Sequence, residues 1–185
     1  MPNWCINHLI LSHQDLHKIM KIYRIAFKGG DLFNSILPIP KELENTEAVC
    51  TDTLTPQDAK LISKYGAKDW YDWCNTNWGT KWDAEWENRW GNDVTPIASP
   101  IKRGNKYEIT MRFNTAWTPP FGVMDELVST GFTVQLYYIE ETTAYCGYYN
   151  NGVNEKWEDF IIDGVIDANI PRQLVQIFDI KKHLH

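Results

Sequence analysis

Lys106-Tyr107-Glu108-Ile109-Thr110-Met111-Arg112-Phe113 is the stretch that decides the fold of this 185-residue chain. Tyr107, Ile109, Met111 and Phe113 alternate with Lys106, Glu108, Thr110 and Arg112. Successive strand residues point to opposite faces, so this pattern reads as a half-buried strand. Gly104-Asn105 supplies a turn in front of it. The segment before that turn, about 94–102, contains Pro96 and Pro100. Proline cannot donate to a ladder, so a strand there belongs at a sheet edge. Beyond Phe113, Pro119 or Pro120 opens a helix carrying Val123, Met124, Leu127 and Val128, and Gly131 closes it. Phe132, Val134, Leu136 and Tyr138 then alternate as a further strand.

Toward the N-terminus, residues 3–11 alternate with apolar residues on both faces, as a central strand would. Leu16, Ile19, Met20, Tyr23 and Phe27 follow at helical spacing, behind a cap at Ser12 or Asp15 and before Gly29-Gly30. The order strand, helix, strand, strand, helix, strand is the split βαβ plan. The fold expected is therefore α+β, a ferredoxin-like βαββαβ antiparallel sheet in one domain spanning 1–185. Residues 31–93 form a Trp-rich helical insertion after the first helix. Within it, 31–54 reads as irregular around Pro38 and Pro40, and Thr55-Pro56-Gln57-Asp58 starts a helix that runs to about Tyr65. After a break at Gly66, a second helix passes through Cys74. Residues 143–185 add a C-terminal hairpin and helix. Its strands are expected at about 144–149 and 156–162, joined through Asn150-Asn151-Gly152, and the helix begins near Pro171 and extends to Leu184.

Nine tryptophans are present, six of them between Trp70 and Trp90. Trp78, Trp82, Trp86 and Trp90 recur every four residues, a spacing open to a helix or a strand. Large aromatics with a polar edge either fill a core or make a contact surface.

The net charge is −6, and the segment from Glu140 to Asp167 holds seven acids against the single base Lys156. Such a field repels a phosphate backbone and suits a basic partner, unless it is simply a solvated face. The four cysteines form no CxxC pair, which suits free thiols. No apolar run approaches the roughly 20 residues that span a bilayer. The opening Met1-Pro2-Asn3-Trp4 lacks the pattern of a signal peptide, so a cytoplasmic location is expected.

Four blocks resemble the ferredoxin-like domain proteins related to YubB, which are carried by conjugative plasmids and bacteriophages. They are Met1-Pro2-Asn3-Trp4-Cys5-Ile6-Asn7, Asn77-Trp78-Gly79-Thr80-Lys81-Trp82-Asp83-Ala84, Phe113-Asn114-Thr115-Ala116-Trp117-Thr118-Pro119-Pro120, and Tyr138-x-Glu140 with Tyr145-x-Gly147. They run in order from residue 1 to about 150, and the acidic end beyond lies outside the match. The family is a domain of unknown function. The resemblance implies the fold, a bacterial or phage cytoplasmic setting, and the start of a strand at Trp82-Asp83-Ala84.

Chemistry-bearing patterns are few. His13 and His17 stand at i and i+4, but Gln14 replaces the general-base Glu of a zinc protease and no third ligand is apparent. Glu140-Glu141 and Glu158-Asp159 could supply paired carboxylates for glycoside chemistry, although adjacent strand residues diverge. Tyr107, Tyr137, Tyr145, Tyr148 and Tyr149 could stack single-stranded bases on an open sheet face, against the acidic charge of the chain. No GxGxxG, Walker or GxSxG motif is present, and neither cofactor nor metal is expected. The leading expectation is a non-enzymatic interaction protein of a mobile element or its host, with a basic protein partner. Its candidate surface combines Trp78, Thr80, Lys81, Trp82, Thr115 and Trp117 with the acids Glu140, Glu155, Glu158 and Asp159. Alternatives are an enzyme of small molecules or carbohydrates using Glu140 as acid/base, and single-strand binding on the sheet.

Overall fold

The computed structural model describes residues 3–48, 54–86, 97–140, 142, 145–162 and 165–180. Strand β1 (Trp4–His13) lies inside a six-stranded sheet. It is flanked by β3 (Lys106–Ala116) and β4 (Thr133–Glu140), both antiparallel to it. β2 (Ile101–Arg103) forms one edge, and the hairpin β5 (Tyr145–Asn150) and β6 (Val153–Glu158) extends the other, giving the order β2-β3-β1-β4-β5-β6. The first four strands have the arrangement that the split βαβ plan requires. Asn151 and Gly152 both take positive φ, 46° and 94°, the mirror-image turn that matches the twist of a two-residue hairpin.

Helices α1 (Leu16–Phe27), capped by Asp15 accepting from His17 N, and α6 (Phe121–Ser129) bury Ile19, Ile22, Met124 and Leu127. These join Leu9, Leu11, Val134 and Leu136 in one apolar cluster. The insertion packs on the same cluster through α2 (Leu32–Ile36), α3 (Lys41–Glu44), α4 (Pro56–Tyr65) and α5 (Trp70–Asn77). The Thr55/Asp58 capping box starts α4, and left-handed Gly66 ends it.

Residues 31–54 were expected to be irregular, and α2 and α3 correct this. A helix as short as α2 is marginal alone. Asp31, its own N-cap, makes no side-chain capping hydrogen bond. Instead Asp83, far along the chain, accepts from Phe33 N and Asn34 N at 2.8 Å each, so tertiary contact supplies the cap. The strand start expected at Trp82-Asp83-Ala84 is also corrected. Trp82 lies in a bend, and of the described residues 82–86 only Glu85 bridges β3, at Asn114. Trp90 lies outside the described residues. In the expected edge strand 94–102, Pro96 lies outside them too. Among the described residues 97–102, the pairing is an isolated bridge of Ile97 with Met111, then β2 beyond Pro100.

The second sheet face is covered as well. β6 begins at Val153, three residues earlier than expected, and leads into a small hairpin, β7 (Ile161–Ile162) and β8 (Val165–Ile166). Helix α7 (Arg172–Ile177) follows, with Leu174 and Phe160 packed on Tyr137, Ile139 and Cys146. Leu184, expected in this helix, lies outside the described residues. Tyr137 and Tyr148, named as a base-stacking platform, are 4.7 Å apart between ring centroids, in or against this packed cluster.

Arg112 ties α7 to the sheet, donating from Nη2 to Ile177 O at 2.9 Å and from Nε to His8 Nδ1 at 3.1 Å. Burial, reinforced by the Arg112 charge, pushes His8 down to about 4 from 6.5. The unfolded chain binds this proton first, so stability is full above the unfolded value and is lost as pH falls toward 4. The loss between pH 6.5 and 4 is expected to approach about 3 kcal/mol. Urea denaturation at pH 6.5 and pH 4 measures it. His8→Gln, which keeps an acceptor without titrating, should flatten the profile; an unchanged profile would exonerate His8.

Candidate functional site

At one end of the sheet, the start of β1 meets the ends of β3 and β4 and the start of β5. Trp4 pairs with Ala116, and Cys5 with both Thr115 and Glu140. Beyond Ala116 the chain turns sharply. Asn7 Nδ2 donates to Thr115 Oγ1 at 2.9 Å, and Thr115 Oγ1 donates to Thr118 O at 2.7 Å. The loop after α5 is laced to this turn, because Thr80 Oγ1 donates to Ala116 O at 2.9 Å and Thr118 Oγ1 donates to Gly79 O.

This lacing sets the position of Trp117. Its φ is 67°, a conformation disfavoured for a bulky L-residue, at a cost of roughly 1–2 kcal/mol. Contacts on both sides hold it there: Trp117 N donates to Asn3 O at 2.9 Å, and its carbonyl accepts from the Tyr145 hydroxyl. The indole remains 40% exposed, beside Trp82 at 41%. Between them lies Lys81, its Nζ 3.7 Å from the Trp82 ring centroid and 4.2 Å from that of Trp117. Each such contact of cation and ring contributes about 0.5–2 kcal/mol. Trp4 extends the aromatic row, its ring centroid 6.2 Å from Trp82. On the β5–β6 side, Lys156 Nζ lies 4.4 Å from the Tyr145 ring centroid and 2.6 Å from Glu158 Oε1.

Of the expected site residues, Lys81, Trp82 and Trp117 come together at the surface. Thr80 and Thr115 are buried within a few residues of them and position the turn. Trp78 is not part of the surface. It is 2% exposed, packs edge-on against Phe33 and Trp73, and donates its indole N–H to Leu37 O at 2.8 Å. Trp86 likewise ties the insertion down, donating to Gly30 O at 3.1 Å. The tryptophan-rich stretch thus divides into anchors (Trp73, Trp78, Trp86) and a rim residue, Trp82.

The acids do not converge. Glu140 was expected on an acidic surface but is 3% exposed, and its Oε2 accepts from Thr142 Oγ1 at 2.6 Å and Thr142 N at 2.9 Å. Glu155 and Glu158 are exposed on β6, but an odd separation places them on opposite faces. Asp159 is exposed just past the strand end, with φ 46°. Glu141 and Asp163 lie outside the described residues. Asp83, the nearest carboxylate in sequence to Lys81, is committed to α2. Among the described residues no group of His, Cys, Asp and Glu could hold a metal ion. Cys5 is fully buried and its thiol is pushed up to about 12 by that burial, the opposite of an activated nucleophile.

Trp4 and Asn7 belong to the site but were not selected from the sequence, and Tyr145 was named only as a base-stacking tyrosine. The signal lay in the blocks themselves: the four separated stretches that carry the resemblance meet at this one end.

A family model described as a ferredoxin-like domain in Api92-like protein matches residues 81–176. Among solved structures, the chain is similar to protein api92 from Yersinia pseudotuberculosis at 11% identity. That likeness covers 85% of this chain and 98% of that one, with a TM-score of 0.43. No curated protein matches the chain. Among the described residues, no helix is long and apolar enough to cross a membrane.

Proposed function

As a chain that belongs to the family of ferredoxin-like domains in Api92-like proteins, a description that names a fold and no reaction, we propose that it is a non-enzymatic interaction protein. Its partner engages the rim formed by Lys81, Trp82 and Trp117. One observation carries this reading: Trp117 combines a left-handed backbone with a half-exposed indole. Folding alone favours glycine or asparagine at such a position and gains little from an exposed ring. Backbone strain retained together with a surface aromatic is the signature of a recognition residue. The resemblance to plasmid and phage proteins supports a cytoplasmic role for a mobile element or its bacterial host.

Trp117→Gly separates binding from folding. Relief of the backbone offsets the lost ring contacts, so stability is expected to stay within about 1 kcal/mol of wild type. Affinity capture from a bacterial lysate should recover a partner on wild-type protein that the variant loses. A variant that melts well below wild type yet recovers the same proteins would make Trp117 a structural residue and end the proposal.

A second reading keeps the basic partner expected from the charge. Glu155, Glu158 and Asp159 are exposed along and just beyond β6, an edge strand. A basic segment could add to this edge by strand pairing. Neutralising the three acids tests it independently of the indoles, because the proteins captured would then change with Trp117 intact. The enzyme alternative has less support, since Glu140 is buried against Thr142. Stacking of bases on the sheet has less still, with α7 over one face and α1 and α6 over the other.

A further inference from the structure

Any partner that covers Trp82 and Trp117 also takes the Lys81 ammonium out of water, because Lys81 lies between the two rings. Among the described residues Lys81 forms no salt bridge. Removing a lone ammonium from water without a partner is strongly unfavourable. Two ring contacts offset only part of that, and they give its N–H donors no hydrogen-bond acceptor of ordinary strength. An apolar occupant would leave the charge buried and unpaired. A cationic one would meet ring faces already filled and a like charge. Resting on the binding reading above, we infer that the partner seats an Asp or Glu carboxylate on Lys81 Nζ, with flanking apolar side chains against Trp82 and Trp117.

The occupant is an acidic peptide segment rather than a nucleic acid. A phosphate backbone brings a charge at every nucleotide and needs a track of cations. Among the described residues, Lys81 is the one unpaired ammonium at the rim. Lys156, on the adjacent strand, is already paired with Glu158, and the chain as a whole carries −6. The requirement is local. A partner with basic residues elsewhere satisfies it equally well.

A phage-displayed random dodecapeptide library, panned on the full chain and depleted on Trp117→Gly protein, tests the inference. Clones that need Trp117 should be enriched in Asp or Glu. Synthetic peptides from them should lose roughly tenfold or more in affinity on Lys81→Met protein. Changing the peptide acid to its amide should cost as much on wild-type protein and little further on Lys81→Met. Lys81→Arg should restore most of the affinity. Should Lys81→Met fail to fold, the loss from acid to amide on wild-type protein decides the matter alone. If no clone distinguishes wild type from Trp117→Gly, the rim is not a recognition site and the function proposed above falls with it. Clones that need Trp117 but carry no acid, or that bind Lys81→Met undiminished, overturn the carboxylate alone. Displacement of the acidic peptides by a twelve-residue oligothymidylate at low salt, at comparable concentration, would assign the rim to phosphate instead.

Discussion

Trp78→Ala is expected to lower the unfolding free energy by about 3–5 kcal/mol, the range for deleting a large buried aromatic. Trp78 closes the insertion onto the core from two sides. Its ring sits edge-on to Phe33 and Trp73, 5.8 and 5.9 Å between centroids, and its indole N–H satisfies Leu37 O. Truncation leaves a cavity and a carbonyl without its donor, and both losses fall on the segment 30–39 that α2 organises. Trp82→Ala, four residues along, should cost distinctly less, about 1–2 kcal/mol, because its ring is already partly in water. Urea titration of the two variants reads the difference. Equal losses would mean that the indoles act as one unit, and the division into anchors and rim would be wrong.

Gly122→Ala is expected to be as damaging, at about 3 kcal/mol or more, for a steric reason. Gly122 N donates to Trp78 O at 3.2 Å, where α6 begins against the end of α5. A Cβ there would lie 1.8 Å from Asn77 O and 2.8 Å from Asn77 C. Both are backbone atoms that cannot rotate away, so α5 and α6 must separate. Gly66→Ala is the control: its φ is +74° but nothing lies within 4 Å, so only backbone strain of about 1–2 kcal/mol is expected. Thermal melts of the two proteins should differ widely; Gly122→Ala melting at or above Gly66→Ala would refute the close approach.

The sequence made the ferredoxin-like core readable because its signals are local and agree with one another. Period-2 alternation in 106–113 and 132–138, the Thr55 capping box and the Asn151-Gly152 turn each act within a few residues. α2 was hidden because its cap comes from Asp83, a contact with no local trace. Trp82 was ambiguous for a related reason: its place is fixed by the lacing of Thr80 to Ala116, and spacing among tryptophans carries no information about that. At the site, charge summed along the chain misled. Glu140, Glu155 and Glu158 are near in sequence, yet burial and strand alternation send them three ways. Composition did flag Lys81, Trp82 and Trp117. Only the fold shows that the lysine stands between the two rings.

The pairing of β1 with β3 also bears on biogenesis. Asn7 and Thr115, which hydrogen-bond across it, are 108 residues apart. On the ribosome, at about 5–20 residues per second, β1 emerges several seconds before either of its neighbours, with apolar side chains on both faces. Ordering such distant segments is slow. Nascent chains of this protein should therefore engage holdase chaperones through residues 4–13 and release them only once Ala116 has cleared the exit tunnel.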